Sequence, residues 1–300
     1  DPHYFVADWH AITTQTDTRD IKRDAVEMVK DWLSAGIDSE KSTLFIQSQV
    51  PQHAELHLIF SMLNTLPRLE RLPTFKAQLK HVLGIINPEQ ELSPEQIAEA
   101  KSNISYGFLG YPVLQAADIL VYKADGVPVG EDQLPHVELT REIARTFNRY
   151  YGDVFPEPEA LLTVTPRILG TDGRKMSKSY GNVILPTDTL DVVLEGVGRM
   201  ITDPQRKRRG DPGDPNVCSV YDLHRAYSSE DRQIEIYQEC RKAGIGCVDC
   251  KREVAERIHK HYQEYTERRF ELDGKEDEIT GILKAGSEKA GKEAAETLRQ

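Results

Sequence analysis

The stretch from Tyr4 to Ile46 indicates the fold of this chain, because two short apolar runs in it enclose an amphipathic segment. The runs are Tyr4-Phe5-Val6-Ala7 and Thr43-Leu44-Phe45-Ile46, and their length is typical of buried strands. The segment between them has helical periodicity and is predicted to end at Gly36. This β-α-β order predicts a parallel sheet covered by helices, in which ligands bind beyond the carboxyl ends of the strands. The residues after the first run, Asp8-Trp9-His10, are therefore expected at the mouth of a pocket.

The rest of the chain changes character along its length. Tyr106–Tyr122 is long and apolar, Glu131–Arg149 is amphipathic, and beyond about Thr187 only helical patterns remain. We therefore predict an α/β fold in which a Rossmann-like parallel-sheet domain, 1–186, is followed by an all-helical region, 187–300. The last helix is expected to pack back on the first domain. Residues 87–102 are polar and are predicted to form a surface insertion.

The composition excludes some classes of protein. Hydrophobic residues make up 39% of the 300 residues and charged ones 29%, as in a soluble globular protein of one or two domains. No apolar run approaches the roughly 20 residues of a membrane helix, and no signal peptide is visible, so we expect a cytoplasmic protein. The net charge of −11 argues against DNA binding. One basic strip departs from this balance, and it is either a solvated surface or a contact for RNA phosphates: Arg206, Lys207, Arg208 and Arg209.

The stretch Gly173-Arg174-Lys175-Met176-Ser177-Lys178-Ser179-Tyr180-Gly181-Asn182 has too few apolar residues to pack in a core. It is predicted to be a surface loop. Two lysines three residues apart on such a loop are suited to neutralise the charge that develops on a polyphosphate. On spacing alone, an ordinary solvated loop explains the stretch equally well.

Three polar residues are predicted to share one face of the long apolar helix, because Tyr111, Gln115 and Asp118 are four and three residues apart. A carboxylate among apolar neighbours must be paired or must bind something, since burying an unpaired charge is costly. Asp118 therefore either pairs with a neighbouring helix or recognises a ligand. Further on, Val127-Pro128-Val129 reads as a strand that ends at Gly130, where a ligand can approach the backbone closely. A glycine before an acidic helix start is common, so this second motif is weak by itself.

All four cysteines of the chain lie in one window with the pattern C-x21-C-x6-C-x2-C: Cys218, Cys240, Cys247 and Cys250. In a cytosolic protein, clustered cysteines are more often metal ligands than disulfides. Four thiolates can hold zinc or a cubane iron–sulfur cluster, and the spacing does not choose between the two. The alternative is a set of four unrelated buried thiols.

Several of these motifs resemble a known enzyme family. Lys175-Met176-Ser177-Lys178-Ser179 is the signature of the class I aminoacyl-tRNA synthetases. The segments 7–14, 111–120, 127–133 and Asp203-Pro204-Gln205 resemble the bacterial-type tryptophanyl-tRNA synthetases, in order and over nearly the whole chain. The resemblance implies ATP-dependent activation of tryptophan, with Mg²⁺, and its transfer to tRNA(Trp).

The resemblance also assigns roles to individual residues. Lys175 and Lys178 are expected to be the catalytic counter-charges for the leaving pyrophosphate. Further ATP contacts are expected from Gly130, Glu131, Asp132, Ile168, Met176, Ser177 and Ser179. Asp118 is expected to accept a hydrogen bond from the indole N–H of tryptophan. The remaining tryptophan contacts are expected from His10, Tyr111, Gln115, Val127, Val129 and Gln133.

The same resemblance bears on partners and on the cysteines. Relatives are homodimers, and a subset of them carries a four-iron four-sulfur cluster in the helical anticodon-recognition region. We therefore favour that cluster over zinc, and expect the basic strip to contact tRNA.

The chain departs from the family in one respect, because the His-Ile-Gly-His-like signature that precedes the second strand in relatives does not occur in it. Because the lysine signature is intact, we expect that the first signature is missing from this sequence rather than lost from the protein. The alternative is a degenerate, non-catalytic paralogue that binds tRNA or tryptophan. A tyrosyl-tRNA synthetase, which shares the fold, is a separate alternative.

Overall fold

The computed structural model describes residues 1–15, 17–85, 87, 90–162, 169–174, 176 and 181–300, except for the side chain of His81. These residues belong to two compact units. Unit 1 consists of Asp1–Trp32, Ile37–Thr163 and Gly274–Gln300, and unit 2 of Leu33–Gly36 and Val164–Asp273. The boundary predicted between residues 186 and 187 separates two functions and does not coincide with the boundary between the two compact units. It stays a prediction.

The described strands form two parallel pairs, both in unit 1. Strand β1 (His3–Val6) pairs with β2 (Thr43–Ile46), and His3 lies opposite Thr43. Strand β3 (Gly126–Val129) pairs with β4 (Glu159–Leu162). The prediction of strands at both ends of the stretch 4–46 is confirmed, and so is the strand before Gly130.

The structure has fourteen helices in its described residues. They are α1 (Asp8–Ala11), α2 (Ile21–Ser34), α3 (Gln52–Ser61), α4 (Leu66–Glu70), α5 (Pro73–Val82), α6 (Pro94–Ser102), α7 (Tyr106–Leu120), α8 (Leu134–Tyr151), α9 (Leu190–Arg199), α10 (Ser219–Tyr227), α11 (Glu230–Arg241), α12 (Cys247–His261), α13 (Gln263–Glu271) and α14 (Glu276–Leu298). No helix in this part of the chain combines the length and the apolar character needed to span a bilayer.

Helix α7 is the centre of the unit 1 core. Its residues Val113, Ala116, Ala117 and Leu120 are buried against α3, α8 and the sheet. Pro112 lies inside the helix without ending it, and the Ser105 hydroxyl caps the first turn by accepting from the backbone N–H of Phe108. The core thus holds rigid the helix face that carries Asp118.

Helix α14 returns to unit 1 and lies directly on β2. A side-chain carbon at Gly286 would stand 1.9 Å from the carbonyl oxygen of Leu44, so only glycine permits this approach. The hydroxyl of Ser287 donates to Gln49 just beyond the end of β2. The last helix therefore covers the strand that leads into the candidate site.

Two sequence predictions in unit 1 are wrong in part. The second half of the polar segment 87–102 is helix α6, whose start is fixed by a capping box between Ser93 and Gln96 and whose Ala100 is fully buried. Pro156, Pro158 and Pro166 predict an irregular connection, but the structure has strand β4 between the second and third of these prolines. Its leucines are half exposed, so it carries little apolar signal and owes its conformation to pairing with β3.

Unit 2 is built around α12, which packs against α9 and α10. Val254, Ala255 and Ile258 of α12 are buried against Val193 and Val197 of α9. The sequence pattern over 252–270 predicts a single helix, but the structure divides it at Tyr262, whose hydroxyl is hydrogen-bonded to that of Tyr227 at 2.9 Å. A tertiary contact of this kind has no local sequence signal.

Glu253 joins two helices of unit 2 and gives a test of pH-dependent stability. Its carboxylate accepts from Arg232 of α11 at 2.7 Å and from Arg257 at 2.9 Å. The hydrogen bond from Arg232 is the main reason why the pKa of Glu253 falls to about 2. We expect Glu253→Gln to destabilise unit 2 by about 1–2 kcal/mol at pH 7, a value reduced for solvent screening.

This stabilisation has a defined pH window. Because the folded pKa lies below the ordinary value of 4.5, the contribution is complete above about pH 4.5 and is lost as the pH falls towards 2. Calorimetric melting of wild type and Glu253→Gln should therefore differ at pH 7 and converge on acidification. Glu256→Gln, an exposed change on the same helix, is the control. An equal difference between wild type and Glu253→Gln at every pH would contradict this assignment.

Candidate active site

A cavity of about 570 Å³ opens beside the carboxyl ends of β1 and β3. Phe5, Phe108 and Ile119 contribute apolar surface to its wall. The structure also brings into it the seven residues expected to contact tryptophan: His10, Tyr111, Gln115, Asp118, Val127, Val129 and Gln133. Their individual roles stay predictions. The cavity has the volume and the mixed lining typical of a small-molecule site.

Asp118 lies at the wall of the cavity, accepts three side-chain hydrogen bonds and is only 3% exposed. Its Oδ1 accepts from Nδ1 of His53 at 2.6 Å and from Nε2 of Gln47 at 2.7 Å. Its Oδ2 accepts from Nε2 of His10 at 2.7 Å. Burial by itself would raise the pKa of this carboxyl, but the hydrogen bonds from His10 and His53 outweigh it, and the pKa lies below its ordinary range. Asp118 is therefore a charged acceptor at neutral pH.

The loop after β1 and the turn after β2 are tied together beneath Asp118. The side-chain oxygen of Gln47 accepts from the backbone N–H of Trp9 at 3.2 Å. Asp8 accepts from the backbone N–H groups of Trp9 and Ser48. These bonds fix the start of α1, from which His10 reaches Asp118.

A second polar cluster lies around Gln133, at the opposite side of the lining. Its side-chain oxygen accepts from Nδ1 of the buried His136 at 3.0 Å and from Gln115 at 3.4 Å. Nε2 of His136 lies 2.9 Å from the Thr74 hydroxyl and 3.2 Å from that of Tyr111. Burial lowers the pKa of His136, so the neutral ring that this pattern requires is favoured.

The segment expected to contact ATP forms a short turn. Residues Glu131–Gln133 are one turn of 3-10 helix that runs directly into α8 at Leu134, so helical structure starts at Glu131 as predicted, but its first turn is not α-helical. Pro135, in the first turn of α8, is one reason, since proline is favoured at the start of a helix. A side-chain carbon at Gly130 would stand 2.8 Å from the carboxylate of Asp132. The absence of a side chain at Gly130 therefore lets the Asp132 carboxylate fold against the backbone.

The loop that carries the two lysines is described only at its base and at Met176, which is half-buried. Ile168, Lys175, Ser177, Lys178 and Ser179 lie outside the described residues. At the base, the backbone N–H of Thr171 donates to the carbonyl of Asn182 at 2.9 Å, and that of Gly170 donates to the carbonyl of Arg174 at 2.8 Å. The two ends of the loop are thus held side by side.

Comparison with known proteins decides the family. Residues 1–263 match the model of the tRNA synthetases class I (W and Y). The chain belongs to this family. It is 46% identical to the tryptophan–tRNA ligase of Thermotoga maritima, over 99% of this chain and 86% of the relative. It is 41% identical to that of Aquifex aeolicus, over 99% of this chain and 89% of the relative.

A solved structure supports the same conclusion. The tryptophanyl-tRNA synthetase of Campylobacter jejuni, crystallised with ADP and tryptophan, matches with a TM-score of 0.79 and 32% identity, over 98% of this chain and 86% of the other. The family predicted from the lysine motif, the α/β fold with a helical region and the assignment as an aminoacyl-tRNA ligase are confirmed.

The four cysteines of the enzyme are all half-buried in unit 2. Cys218 precedes α10, Cys240 lies in the last turn of α11, and Cys247 and Cys250 lie in the first turn of α12. Burial, with a smaller contribution from the charges of the other three thiols, raises the pKa of Cys250 to about 12. Across the described residues, no three His, Cys, Asp or Glu side chains are placed to bind a single metal ion.

One side chain of the basic strip is hydrogen-bonded to backbone carbonyls of unit 2, and the other three side chains are exposed. The Arg206 guanidinium donates to the backbone carbonyls of Ile245 at 2.7 Å and Arg209 at 3.0 Å, and one of its N–H groups lies 3.7 Å from the sulfur of Cys240. Lys207, Arg208 and Arg209 are exposed. Arg206 thus joins the strip to the cysteine window, and the other three are accessible to a polyanion.

Sequence reasoning missed four members of the site: Gln47, His53, Tyr122 and His136. Each lies in an element that was predicted only as a helix or a strand end. The sequence contains one signal for a missed site residue, a histidine on the apolar face of a helix. This signal applies to His53, which is buried on α3 with Leu56 and Phe60.

Proposed function

We propose that this chain activates L-tryptophan with ATP as tryptophanyl-adenylate and transfers the amino acid to tRNA(Trp). The observation that carries the proposal is the charged, buried carboxylate of Asp118 at the wall of an apolar cavity. The indole ring has a single polar group, its N–H, and a buried acceptor suits it. Phenylalanine would leave that acceptor unsatisfied, which gives strong discrimination.

The remaining lining is suited to the rest of the amino acid. Val127, Val129 and Phe5 offer apolar surface to the ring. Gln133 and Tyr111, held by His136, are hydrogen-bonding partners for the substrate ammonium. Catalysis by such a site consists of holding the carboxylate of tryptophan in line with the α-phosphate, without a protein nucleophile.

ATP would lie along the segment Gly130, Glu131 and Asp132. As the carboxylate attacks, pyrophosphate leaves, and Lys175 and Lys178 supply positive charge to it. Magnesium that arrives with the nucleotide adds charge at the phosphates. The catalytic domain in this scheme is 1–186, and the helical region 187–300 reads the anticodon, with Lys207, Arg208 and Arg209 at RNA phosphates. In this scheme the chain is an enzyme of translation that acts in the cytoplasm.

Amino-acid-dependent exchange of pyrophosphate into ATP tests the proposal on the complete product of the gene. Exchange with tryptophan and not with tyrosine is the expected result. Exchange with tyrosine alone would identify a tyrosyl enzyme. A protein that binds tryptophan and tRNA without any exchange would be a non-catalytic paralogue.

We also propose that the four cysteines hold a four-iron four-sulfur cluster that fastens α10, α11 and α12 together. Four thiols from one window, near enough to raise the pKa of Cys250, suit soft iron–sulfur chemistry. A single zinc ion, with bonds of about 2.3 Å, needs its thiolates closer together than a cluster does.

Purification under anaerobic conditions should therefore give a brown protein with iron and sulfide in equal amounts. Cys250→Ser should lower the iron content and the melting temperature of unit 2, because the cluster would fasten three helices of that unit. A colourless protein with one equivalent of zinc would establish the alternative metal. A protein without either would leave four structural thiols.

We propose, further, that two copies of the chain associate through α3 and α4. The apolar residues in and after α3 differ in burial: Leu56 and Phe60 are buried, whereas Leu58 on α3, Met62 directly after it and Leu66 on α4 are 58%, 73% and 55% exposed. A helix that is apolar all round is normally buried all round.

Met62→Asp should shift the mass measured by light scattering from that of two chains to that of one, because it places a charge in the apolar contact. Ile234→Asp, at an apolar residue of α11 that is exposed to a similar degree, should leave the mass unchanged. A wild-type protein that has the mass of one chain at micromolar concentration would contradict the proposal.

A further inference from the structure

A chain of hydrogen bonds leads from Asp118 away from the cavity. Nδ1 of His53 lies 2.6 Å from Oδ1 of Asp118, and Nε2 of the same ring lies 2.7 Å from the hydroxyl of Tyr122. His53 is fully buried, and neither it nor Tyr122 lines the cavity. Both residues can act on a ligand in this cavity only through Asp118.

The direction of these hydrogen bonds follows from the acceptor at one end. The carboxylate of Asp118 accepts, so Nδ1 of His53 carries a proton. When the ring is neutral, Nε2 carries no proton and accepts from the Tyr122 hydroxyl. Burial, with the nearby charges of Asp118 and Glu293, raises the pKa of Tyr122, so its hydroxyl keeps the proton that it donates.

The acceptor positions of Asp118 are almost fully used. A carboxylate has about four lone-pair positions, two on each oxygen. Both positions on Oδ1 are taken, by His53 and Gln47, and the amide of Gln47 cannot turn round because its oxygen holds the N–H of Trp9. Among the described residues, His10 is the only donor to Oδ2. One acceptor position remains, and it is on Oδ2.

We propose that His53 and Tyr122 are positioning residues for indole recognition: they saturate Oδ1 of Asp118, so that Oδ2 offers a single acceptor to a single N–H donor. This inference rests on the proposed function. Without His53, Oδ1 would keep only the hydrogen bond from Gln47, so the carboxylate would be held less firmly, and burial would favour its protonated form. Either change removes a fixed acceptor from the indole.

The substrate analogue β-(3-benzothienyl)-L-alanine isolates this interaction, because sulfur replaces the N–H while the ring keeps its shape. The readout is the ratio of kcat/KM for tryptophan to kcat/KM for the analogue in pyrophosphate exchange. A purely structural role for His53 would lower stability and leave this ratio unchanged. A positioning role lowers the ratio and acts mainly through KM for tryptophan.

His53→Leu should lower the ratio about tenfold or more, as expected for the loss of one buried charge-assisted hydrogen bond. Tyr122→Phe should lower it about threefold, since His53 keeps its place but loses the donor that fixes its tautomer. His53→Asn can place an amide donor near the position of Nδ1 and should keep the ratio within about threefold of wild type. His261→Asn, the same change at an exposed histidine at the end of α12 in unit 2, is the control and should not alter the ratio.

The proposal is wrong if His53→Leu and Tyr122→Phe both keep the wild-type ratio, or if His53→Asn loses as much as His53→Leu. Circular dichroism establishes that each variant is folded. Should His53→Leu fail to fold, Tyr122→Phe and His53→Asn decide by the same criteria. A wild-type protein that shows no exchange with tryptophan would overturn the function itself, whereas an unchanged ratio in active variants would overturn this inference alone.

Discussion

Asp118→Asn should lower kcat/KM for tryptophan by about a hundredfold to a thousandfold, although the two side chains have the same shape. The reason is that two donors, His53 and Gln47, fix the side of Oδ1. The amide oxygen of asparagine must take that side to satisfy them. Its NH₂ group then faces the indole N–H and Nε2 of His10. Hydrogen-bond donors therefore face one another at the position where the wild type has a charged acceptor.

The same reasoning separates Asp118→Asn from a general loss of activity. The benzothienyl analogue has no N–H to clash, so its kcat/KM should fall far less than that of tryptophan. Asp125→Asn, an exposed aspartate just before β3, is the matched control and should behave as wild type. The measurement is kcat/KM in pyrophosphate exchange, with tryptophan and with the analogue, for wild type, Asp118→Asn and Asp125→Asn. If Asp118→Asn kept the preference for tryptophan over the analogue, the Asp118 carboxylate would not be the group that recognises the indole N–H.

The cavity shows how far sequence reasoning reaches in this chain. Tyr111, Gln115 and Asp118 could be grouped in advance because helical spacing fixes which residues share a face. His10 could be placed because a residue that follows a parallel strand lies at the edge where ligands bind. Both arguments use local geometry, which the order of residues determines.

The partners of Asp118 could not be found in this way. Gln47 and His53 are 71 and 65 residues away in sequence and meet the carboxylate only when α3 and the turn after β2 have packed against α7. His53 stands in an apolar helix where the pattern favours burial but names no partner. Predicting such a contact requires the packing angles of three elements, and single-sequence periodicity does not contain them.

The fold shows the same division. Strand β2 was predicted with its observed bounds because it is buried on both faces and apolar throughout. The short strand β4, with leucines that face solvent, and the division between α12 and α13 at Tyr262 both depend on contacts made after collapse. Where only one face of an element is buried, or where the buried segment is short, tertiary contacts override the local preference for a secondary structure.

Lys178→Ala should have the second large effect, a fall of about a hundredfold to a thousandfold in kcat for pyrophosphate exchange with KM for tryptophan unchanged. The lysine would act on charge that develops as pyrophosphate leaves, so it stabilises the transition state rather than bound tryptophan. The double change with Lys175→Ala should cost less than the product of the two single effects, because both lysines serve one leaving group. Lys41→Ala, at a lysine that is 83% exposed, is the control.

The base of the loop offers an independent test of the same role, because it is held by hydrogen bonds that the lysines do not make. A side-chain carbon at Gly170 would stand 2.3 Å from the amide nitrogen of Asn182 and 2.8 Å from its carbonyl oxygen. Gly170→Ala must therefore displace the paired segments at Thr171 and Asn182, between which the two lysines lie in sequence. We expect kcat to fall by about tenfold or more while calorimetric stability changes little. If Gly170→Ala and Lys178→Ala instead raised KM for tryptophan at constant kcat, the lysine loop would serve binding of the amino acid and not departure of pyrophosphate.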